Sequence, residues 1–412
     1  MVSPPPQQDP VIGSERCTTV APQAPIVALV AGATGLVGAE LMALLASRPN
    51  CSKVYAVARR SLSQGTLLFD NHHHHNKHHM QCEFIACDLL NREVTMSKLS
   101  ELKDVTHIFW TTWAVHFPLD SPDCSDTNAE MIANTLDALL PNAPNLRHLT
   151  LQTGTKHYLS PKILMGTAKS LERKNHRYDE ESPRATYGHN FYYALEDTVA
   201  AKLLETQVSW SIHRPGLLMG CSTTSFFNIV GCLCVYASIC KHLSLPFVFC
   251  GSRECWEEPH IDASDARLVA RQQIWAAIDG GDATKGHAFN AINGEDFTWK
   301  EVWPKIAAKF QLEQPEMSPE DGDGWFSRAG SIVERMVDKG EIWEEIIERN
   351  GLRKTKMEEM ANWWFLDILF RLPFKLLSSR DKANRLGFTD MCDTVSSILY
   401  WIDFMRQEQL VP

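Results

Sequence analysis

Three glycines near the N-terminus, Gly32, Gly35 and Gly38, have the residue type and spacing of a phosphate-binding turn. They follow six apolar residues, 26–31, that predict a buried strand, and they precede apolar residues at a helical period. Glycine adds no Cβ bulk, so backbone N–H groups and the positive end of a helix dipole can approach a pyrophosphate there. The spacing is G-x-x-G-x-x-G rather than G-x-G-x-x-G, but the strand, turn and helix context favours a dinucleotide site over an ordinary glycine-rich turn. The turn residues expected at the cofactor are Gly32, Thr34, Gly35, Leu36, Val37 and Gly38.

The predicted second strand, residues 53–58, ends in Arg59 and Arg60. An NAD site usually has an acidic residue near this place, which holds the ribose 2′-hydroxyl. Two arginines instead suit a 2′-phosphate, which guanidinium groups bind in bidentate fashion. The alternative is a solvated pair at a strand end. The pair therefore favours NADP(H) over NAD(H).

Further candidates follow the next predicted strands, 84–89, 106–113 and 145–154. Ligands of open α/β sheets bind outside the carboxyl ends of the strands, so residues at these ends should border the cofactor. Asp88 could accept the adenine amino group or merely shape a turn. The residues expected at the cofactor from these ends are Asp88, Leu89, Thr111, Thr112, Trp113, Gln152 and Thr153. Lys156 then lies at the edge of the crevice, where an isolated lysine is usually a surface residue.

A helix is predicted to begin at Asn190 and to run through Leu204. A short-chain dehydrogenase would carry Tyr-x-x-x-Lys here, with the lysine one helical turn after the tyrosine. Four residues after Tyr192 and Tyr193 stand Glu196 and Asp197, so that lysine is missing.

The composition limits the alternatives. The chain has 412 residues, a net charge of −10 and no long basic run, which argues against a nucleic-acid surface. Twelve cysteines without a C-x-x-C pair indicate reduced thiols and a cytoplasmic protein with no metal site. The most apolar segment, 225–240, is too short to span a membrane and predicts a buried helix. The histidine tract from His72 to His79 is interpreted as a surface insertion.

These patterns predict an α/β protein with a Rossmann-type doubly wound parallel sheet and a smaller, mainly helical C-terminal region. We expect a disordered tail over residues 1–25, an NADP-binding domain over 26–220, and a substrate-pocket and helical lid region over 221–412, parts of which return to the sheet.

Ordered matches along the chain carry a family resemblance. They include the glycine turn, the stretch from Tyr55 to Arg60, Gln152-Thr-Gly154 followed by Lys156, the stretch from Asn190 to Tyr193, and His213-Arg-Pro-Gly216. The chain resembles the progesterone 5β-reductase and iridoid synthase family of atypical short-chain dehydrogenase/reductases from about residue 26 to the C-terminus. The resemblance implies that Tyr192 is the catalytic tyrosine and that Lys156 replaces the missing helix lysine.

The resemblance also implies hydride transfer from NADPH to the β-carbon of an α,β-unsaturated carbonyl, with Tyr192 stabilising the enolate oxygen. Its substrate would be a small hydrophobic carbonyl compound of specialised metabolism, and a homodimer is one possible assembly. Further residues expected at the cofactor are Pro215, Gly216, Ser225 and Phe226; those expected at the substrate pocket are Trp113, Phe226, Phe227, Trp364 and Phe365.

Several departures from the family pattern prevent transfer of its substrates. The chain has Thr155 where members often carry arginine, and it lacks part of a Ser-Pro-Tyr-Ser run near residues 221–226. Its sequence over residues 159–189 also differs from that of the family. Direct 1,2-reduction of a ketone or aldehyde stays open as a second reaction. Two further hypotheses belong to different functional classes: an NADP-binding cyclase, and a nucleotide sensor that has lost catalytic activity.

Overall fold

A computed structural model describes residues 24–59, 80–116, 118–159, 177–185, 188–313 and 324–412. Four of the sequence expectations fall wholly or mostly outside these ranges: the N-terminal tail, Arg60, the histidine tract and the central part of the segment 159–189.

Within the described residues, the centre of the molecule is a parallel sheet in the order β3-β2-β1-β4-β5-β6-β9, with β7 and β8 paired beside it. This is the doubly wound arrangement that the sequence predicted. The strands are β1 (Ile26–Ala31), β2 (Cys51–Ala58), β3 (Gln81–Ala86), β4 (His107–Trp110), β5 (His148–Gln152), β6 (Ser209–Arg214), β7 (Leu217–Met219), β8 (Ala263–Asp265) and β9 (His287–Asn290).

Helices cover both faces of the sheet, which explains why β1 and β4 are buried along nearly their whole length. They are α1 (Leu36–Ser47), α2 (Arg92–Leu99), α3 (Pro122–Leu139), α4 (Phe191–Leu203), α5 (Ile229–Leu243), α6 (Arg253–Glu257), α7 (Ala266–Ile274), α8 (Trp299–Phe310), α9 (Gly324–Ala329), α10 (Ile332–Met336), α11 (Gly340–Asn350), α12 (Met357–Met360), α13 (Trp363–Phe370), α14 (Asp381–Arg385) and α15 (Thr394–Gln407). A 3₁₀ turn, Thr155–Tyr158, follows β5 directly.

Some element boundaries differ from the sequence prediction. The sequence predicts a helix from Asn128 to Leu140 with Met131 on its apolar face. The observed helix α3 begins earlier, at Pro122, because Ser121 Oγ accepts the N–H of Cys124 and proline is well suited to the first helical position. Strand β3 ends at Ala86, so Asp88 stands in the loop that follows. The strands β7, β8 and β9 were not predicted, because runs of three or four residues carry too little periodicity to be recognised.

The C-terminal region shares its core with the sheet. Helix α5 is buried along almost its whole length, and its side chains belong to one apolar cluster with residues of β1, α1 and α15. Strand β9 pairs in parallel with β6 at the edge of the sheet. Of the predicted pocket residues, Phe365 packs against this cluster, whereas Trp113 packs against a second apolar cluster. None of the helices in the described ranges has both the length and the apolar character needed to cross a membrane.

Candidate active site

The glycine-rich turn connects β1 to α1 in a conformation that needs glycine at two places. Gly32 has φ +88° and donates its N–H to Val57 O at 2.9 Å. A Cβ on Gly38 would lie 2.0 Å from Gly32 O, so α1 can pack on the turn only with hydrogen at that position. Gly35 is the N-cap residue of α1 and has no side chain. The N–H groups of Leu36 and Val37 in the first turn therefore receive no side-chain cap. A glycine-rich turn at the N-terminus of a helix has the geometry that suits an anion.

A second loop closes over this turn. Ser222 Oγ and Thr224 Oγ1 both donate to the carbonyl oxygen of Thr34, at 3.0 and 3.1 Å. The loop thereby brings Ser225 Oγ within 3.8 Å of the point that a Cβ on Gly35 would occupy. Phe226, the next residue, is 37% exposed. The structure thus brings Ser225 next to Thr34 and Gly35, from which it is distant in sequence.

A recess lies where β1, β2 and β4 end. Its lining includes predicted residues from four separate parts of the chain: Gly32, Arg59, Asp88 with Leu89, and Thr112 with Trp113. Cys87, Leu90, Ala114 and Met131 also line it and were not predicted as site residues. Met131 was expected only on the apolar face of a helix, and nothing in its periodicity separates a pocket wall from a core residue.

Asn128 fixes the segment that follows β4, and sequence reasoning missed this role. Its fully buried amide accepts the N–H of Ala114 at 2.8 Å and donates to Ala114 O at 3.1 Å and to Cys124 O at 2.9 Å. Thr111 Oγ1 donates to Ala31 O at 2.9 Å. These bonds hold Trp113 at the mouth of the recess.

The structure brings Tyr192 and Lys156 together. Tyr192 is in the first turn of α4, and Lys156 is in the 3₁₀ turn after β5. Lys156 Nζ lies 5.5 Å from the centroid of the Tyr192 ring and 5.0 Å from that of Phe227. Within the described part of the chain, no hydrogen-bond partner stands at Tyr192 Oη or at Lys156 Nζ. Both groups are therefore available to a bound ligand.

Gly154 makes room for the tyrosine. A Cβ at this position would lie 2.9 Å from Tyr192 Oη and 3.2 Å from Pro215 O. Any other residue would push the phenol away from the end of β5. Gly154 belongs to the stretch that carries the family resemblance, but sequence reasoning gave it no place in the site.

Burial shifts the pKa values of both groups. Desolvation lowers the pKa of Lys156 to about 8, and the Cys124 thiol acts in the opposite direction. Desolvation raises the pKa of Tyr192, and the Cys124 thiol adds to that shift. At neutral pH Tyr192 therefore keeps its proton as a hydrogen-bond donor, and most Lys156 side chains carry their charge.

Aromatic side chains form one wall beside the pair. Trp113 stacks on Phe191 at 5.4 Å and on Phe227 at 5.6 Å, and Phe227 contacts Phe365 at 4.8 Å. Trp364, which precedes Phe365 in α13, is 39% exposed. The predicted pocket residues Trp113, Phe227 and Phe365 are thus neighbours.

The remaining candidates lie at the ends of β5 and β6. Thr153 Oγ1 is buried and has no hydrogen-bond partner in the described structure, whereas Gln152 Oε1 accepts from Gln273 Nε2 at 3.0 Å. Pro215 O accepts the N–H of Thr155 at 2.8 Å. A Cβ on Gly216 would meet Asp262 O at 2.3 Å, so this glycine serves the packing of β7 against β8.

The chain is an oxidoreductase with a Rossmann fold, the class to which its fold and its similar proteins assign it. It belongs to the family described as the PRISE-like Rossmann-fold domain, whose model matches residues 28–372.

Similar proteins agree with this assignment. The chain is 41% identical over 390 residues to an (S)-8-oxocitronellyl enol synthase of Camptotheca acuminata, covering 94% of this chain and 93% of the relative. It is 40% identical over 391 residues to a 3-oxo-Δ(4,5)-steroid 5β-reductase of Arabidopsis thaliana, with the same coverage of both chains. Among solved structures, a UDP-glucose 4-epimerase of Thermus thermophilus matches with a TM-score of 0.59 at 15% identity, covering 92% of this chain and 99% of the epimerase. At that identity the likeness shows the fold alone.

Proposed function

We propose that this protein is an NADPH-dependent reductase that adds hydride to the β-carbon of an α,β-unsaturated carbonyl compound. The observation that carries the proposal is the convergence of Tyr192 and Lys156, which lie 36 residues apart in the chain, on one crevice of a dinucleotide-binding fold. The name of the 3-oxo-Δ(4,5)-steroid 5β-reductase supports it, because a 3-oxo-Δ(4,5)-steroid is itself a conjugated enone.

The residues at the crevice suit a nicotinamide dinucleotide. The glycine turn and the first-turn N–H groups of Leu36 and Val37 would hold the pyrophosphate. Asp88 and Arg59 line the recess where the adenosine half would lie, and the guanidinium of Arg59 suits a 2′-phosphate. The unpartnered hydroxyl of Thr153 is a further polar group at the nicotinamide end. When bound, the cofactor supplies the hydride.

The protein's own groups handle the charge that develops on the substrate. As hydride reaches the β-carbon, negative charge moves to the carbonyl oxygen, and the protonated phenol of Tyr192 donates a hydrogen bond to that oxygen. The ammonium of Lys156, beside the Tyr192 ring, stabilises the same charge electrostatically. The wall of Trp113, Phe227 and Phe365 keeps water away, which strengthens both interactions.

The proposal is tested with NADPH deuterated at the transferable position and two probes, cyclohexenone and a 3-oxo-Δ4 steroid. NMR of the product locates the label. Deuterium on the β-carbon is the expected result. Deuterium on the carbonyl carbon would overturn conjugate addition in favour of 1,2-reduction, and the absence of deuterium from the products of both probes would overturn the proposed hydride transfer.

The roles of the two residues are tested by Tyr192→Phe and Lys156→Met. Each is expected to lower kcat by about a hundredfold or more while the NADPH Kd changes little, because the lost interaction acts mainly on developing charge. Tyr400→Phe is the matched control, since Tyr400 is 41% exposed on α15. Full turnover by both site variants would contradict the assignment.

A further inference from the structure

The side chains of Tyr192 and Lys156 are not hydrogen-bonded to each other, so their spacing depends on how their backbones are joined. Tyr192 belongs to α4, whereas Lys156 belongs to a short 3₁₀ turn. A lysine one helical turn after the tyrosine would be held by the helix itself. Here the relative position of the two residues requires a contact between two separate elements.

Asn190 supplies a contact that touches both residues. Its Oδ1 accepts the backbone N–H of Tyr192 at 3.1 Å and so caps α4. Its Nδ2 donates to the backbone carbonyl of Lys156 at 3.1 Å. The side chain is 7% exposed, so little water competes for these bonds. One planar amide therefore sets the distance between the two backbones.

Two further contacts hold the 3₁₀ turn, and they involve Tyr193 and His157, the residues that follow Tyr192 and Lys156. Tyr193 Oη donates to His157 O at 2.5 Å and accepts the N–H of Ala185 at 2.8 Å. The His157 ring lies 3.2 Å from Glu196 Oε1, and Glu196 occupies the helix position where other short-chain dehydrogenases carry the lysine. Neither contact reaches Lys156 itself.

We propose that Asn190 is a positioning residue that joins the backbones of Tyr192 and Lys156 and thereby holds the ammonium beside the catalytic phenol. The inference rests on the proposed function and deepens it, because it explains how a lysine outside the helix takes the place of the usual one. A residue that acted only as a helix cap would use only its side-chain oxygen, whereas Asn190 also uses its side-chain N–H.

Two variants separate bridging from capping. Asn190→Ser keeps a preferred N-cap residue without adding charge, but its single hydroxyl cannot serve the Tyr192 N–H and also reach the Lys156 carbonyl. Asn190→Asp keeps the shape and the cap but has no N–H to donate. Asn91→Ser is the matched control, because Asn91 caps α2 by accepting the N–H of Val94 at 3.0 Å.

The first measurement is the pKa of Lys156 in the cofactor-free protein, from the ¹³Cε chemical shift of labelled lysine, with Lys156→Arg to assign the signal. The groups that face this ammonium are the Cys124 thiol from α3, the Tyr192 phenol from α4 and the Phe227 ring. In the intact protein we expect a pKa of about 8. In Asn190→Ser we expect a value higher by about one unit or more, because a displaced ammonium regains water.

The second measurement is turnover of cyclohexenone with NADPH. Both Asn190 variants should lower kcat by about tenfold to a hundredfold, with NADPH Kd and melting temperature close to those of the parent and of Asn91→Ser. A parental Lys156 pKa and kcat in Asn190→Ser would overturn the proposal, as would an effect confined to Asn190→Asp, which adds a charge. An equal loss of kcat in Asn91→Ser would assign the effect to capping. If instead Tyr192→Phe and Lys156→Met keep full turnover, the proposed function itself fails.

Discussion

Gly38→Ala is the substitution for which the structure gives the sharpest expectation. Gly38 lies in the first turn of α1, where its missing side chain faces the glycine-rich turn. An added Cβ would stand 2.0 Å from Gly32 O, 2.7 Å from Gly32 C and 3.0 Å from the Cα of Ala33. All three neighbours are backbone atoms, so no side chain can rotate away. Helix α1 and the turn must therefore separate by at least about 1 Å.

The magnitude follows from two opposing effects. Glycine to alanine in a helix normally stabilises by about 1 kcal/mol. Forcing an extra methyl group into a packed contact costs about 1–3 kcal/mol, and the upper part of that range, about 2–3 kcal/mol, applies here because the displaced atoms are backbone. We expect a net loss of about 1–2 kcal/mol in the free energy of unfolding, which the fold survives. The first-turn N–H groups of α1 move with the helix, so NADPH affinity should fall by about tenfold or more.

Urea unfolding and NADPH fluorescence titration measure the two effects. Gly340→Ala is the matched control, because Gly340 begins α11 and nothing lies within 4 Å of the Cβ that it would gain. That variant should bind NADPH normally and be as stable as the parent or slightly more so. If Gly38→Ala bound NADPH with parental affinity and unfolded at the same urea concentration, the close packing of α1 on the turn would be refuted.

Three further predictions concern charge. Because burial lowers the pKa of Lys156 to about 8 in the cofactor-free protein, kcat/KM should be highest below that pH and fall as pH rises through it; a profile of kcat/KM that is flat to about pH 10 would contradict this. Burial also lowers the pKa of His107 to about 4, of His148 to about 3 and of His213 to about 4. The unfolded chain takes up these protons below about pH 6.5, so the contribution of the histidines is complete above that pH and falls towards pH 4, by up to about 1.4 kcal/mol per histidine and pH unit. Glu40 and Asp262, whose pKa values burial raises to about 7, act in the opposite direction, but two carboxyl groups offset only part of the effect of three histidines, so equal urea midpoints at pH 7 and 5 would contradict this. Arg59→Ala should raise the KM for NADPH by about tenfold and that for NADH much less, and equal increases in steady-state assays would count against the 2′-phosphate.

Within the described residues, local sequence patterns were sufficient for six of the seven strands of the central sheet, all but β9, and for the glycine-rich turn. The apolar run before Gly32 predicted β1 correctly, because a strand buried on both faces needs a continuous apolar run. Strands β2, β4 and β5 were predicted within a few residues of their observed bounds, as was β6, which the sequence predicts over residues 208–213. The helix that carries Tyr192 begins one residue after the predicted start. These features depend on neighbours a few residues apart, which is the range over which periodicity acts.

Family resemblance, not periodicity, assigned roles to Tyr192 and Lys156. The bare sequence showed only that the helix lysine was missing, and Lys156 alone has the pattern of a surface residue.

Other features were decided by tertiary structure alone. The Asn190 amide joins α4 to the 3₁₀ turn, the Asn128 amide holds Ala114, and Gly154 makes room for Tyr192. Each of these contacts depends on the order of strands in the sheet and on how helices pack against its edge, and no local pattern records it. The sequence by itself therefore determined the dinucleotide fold and its glycine-rich turn. Only the packed molecule shows how a lysine from outside the helix comes to lie beside the tyrosine.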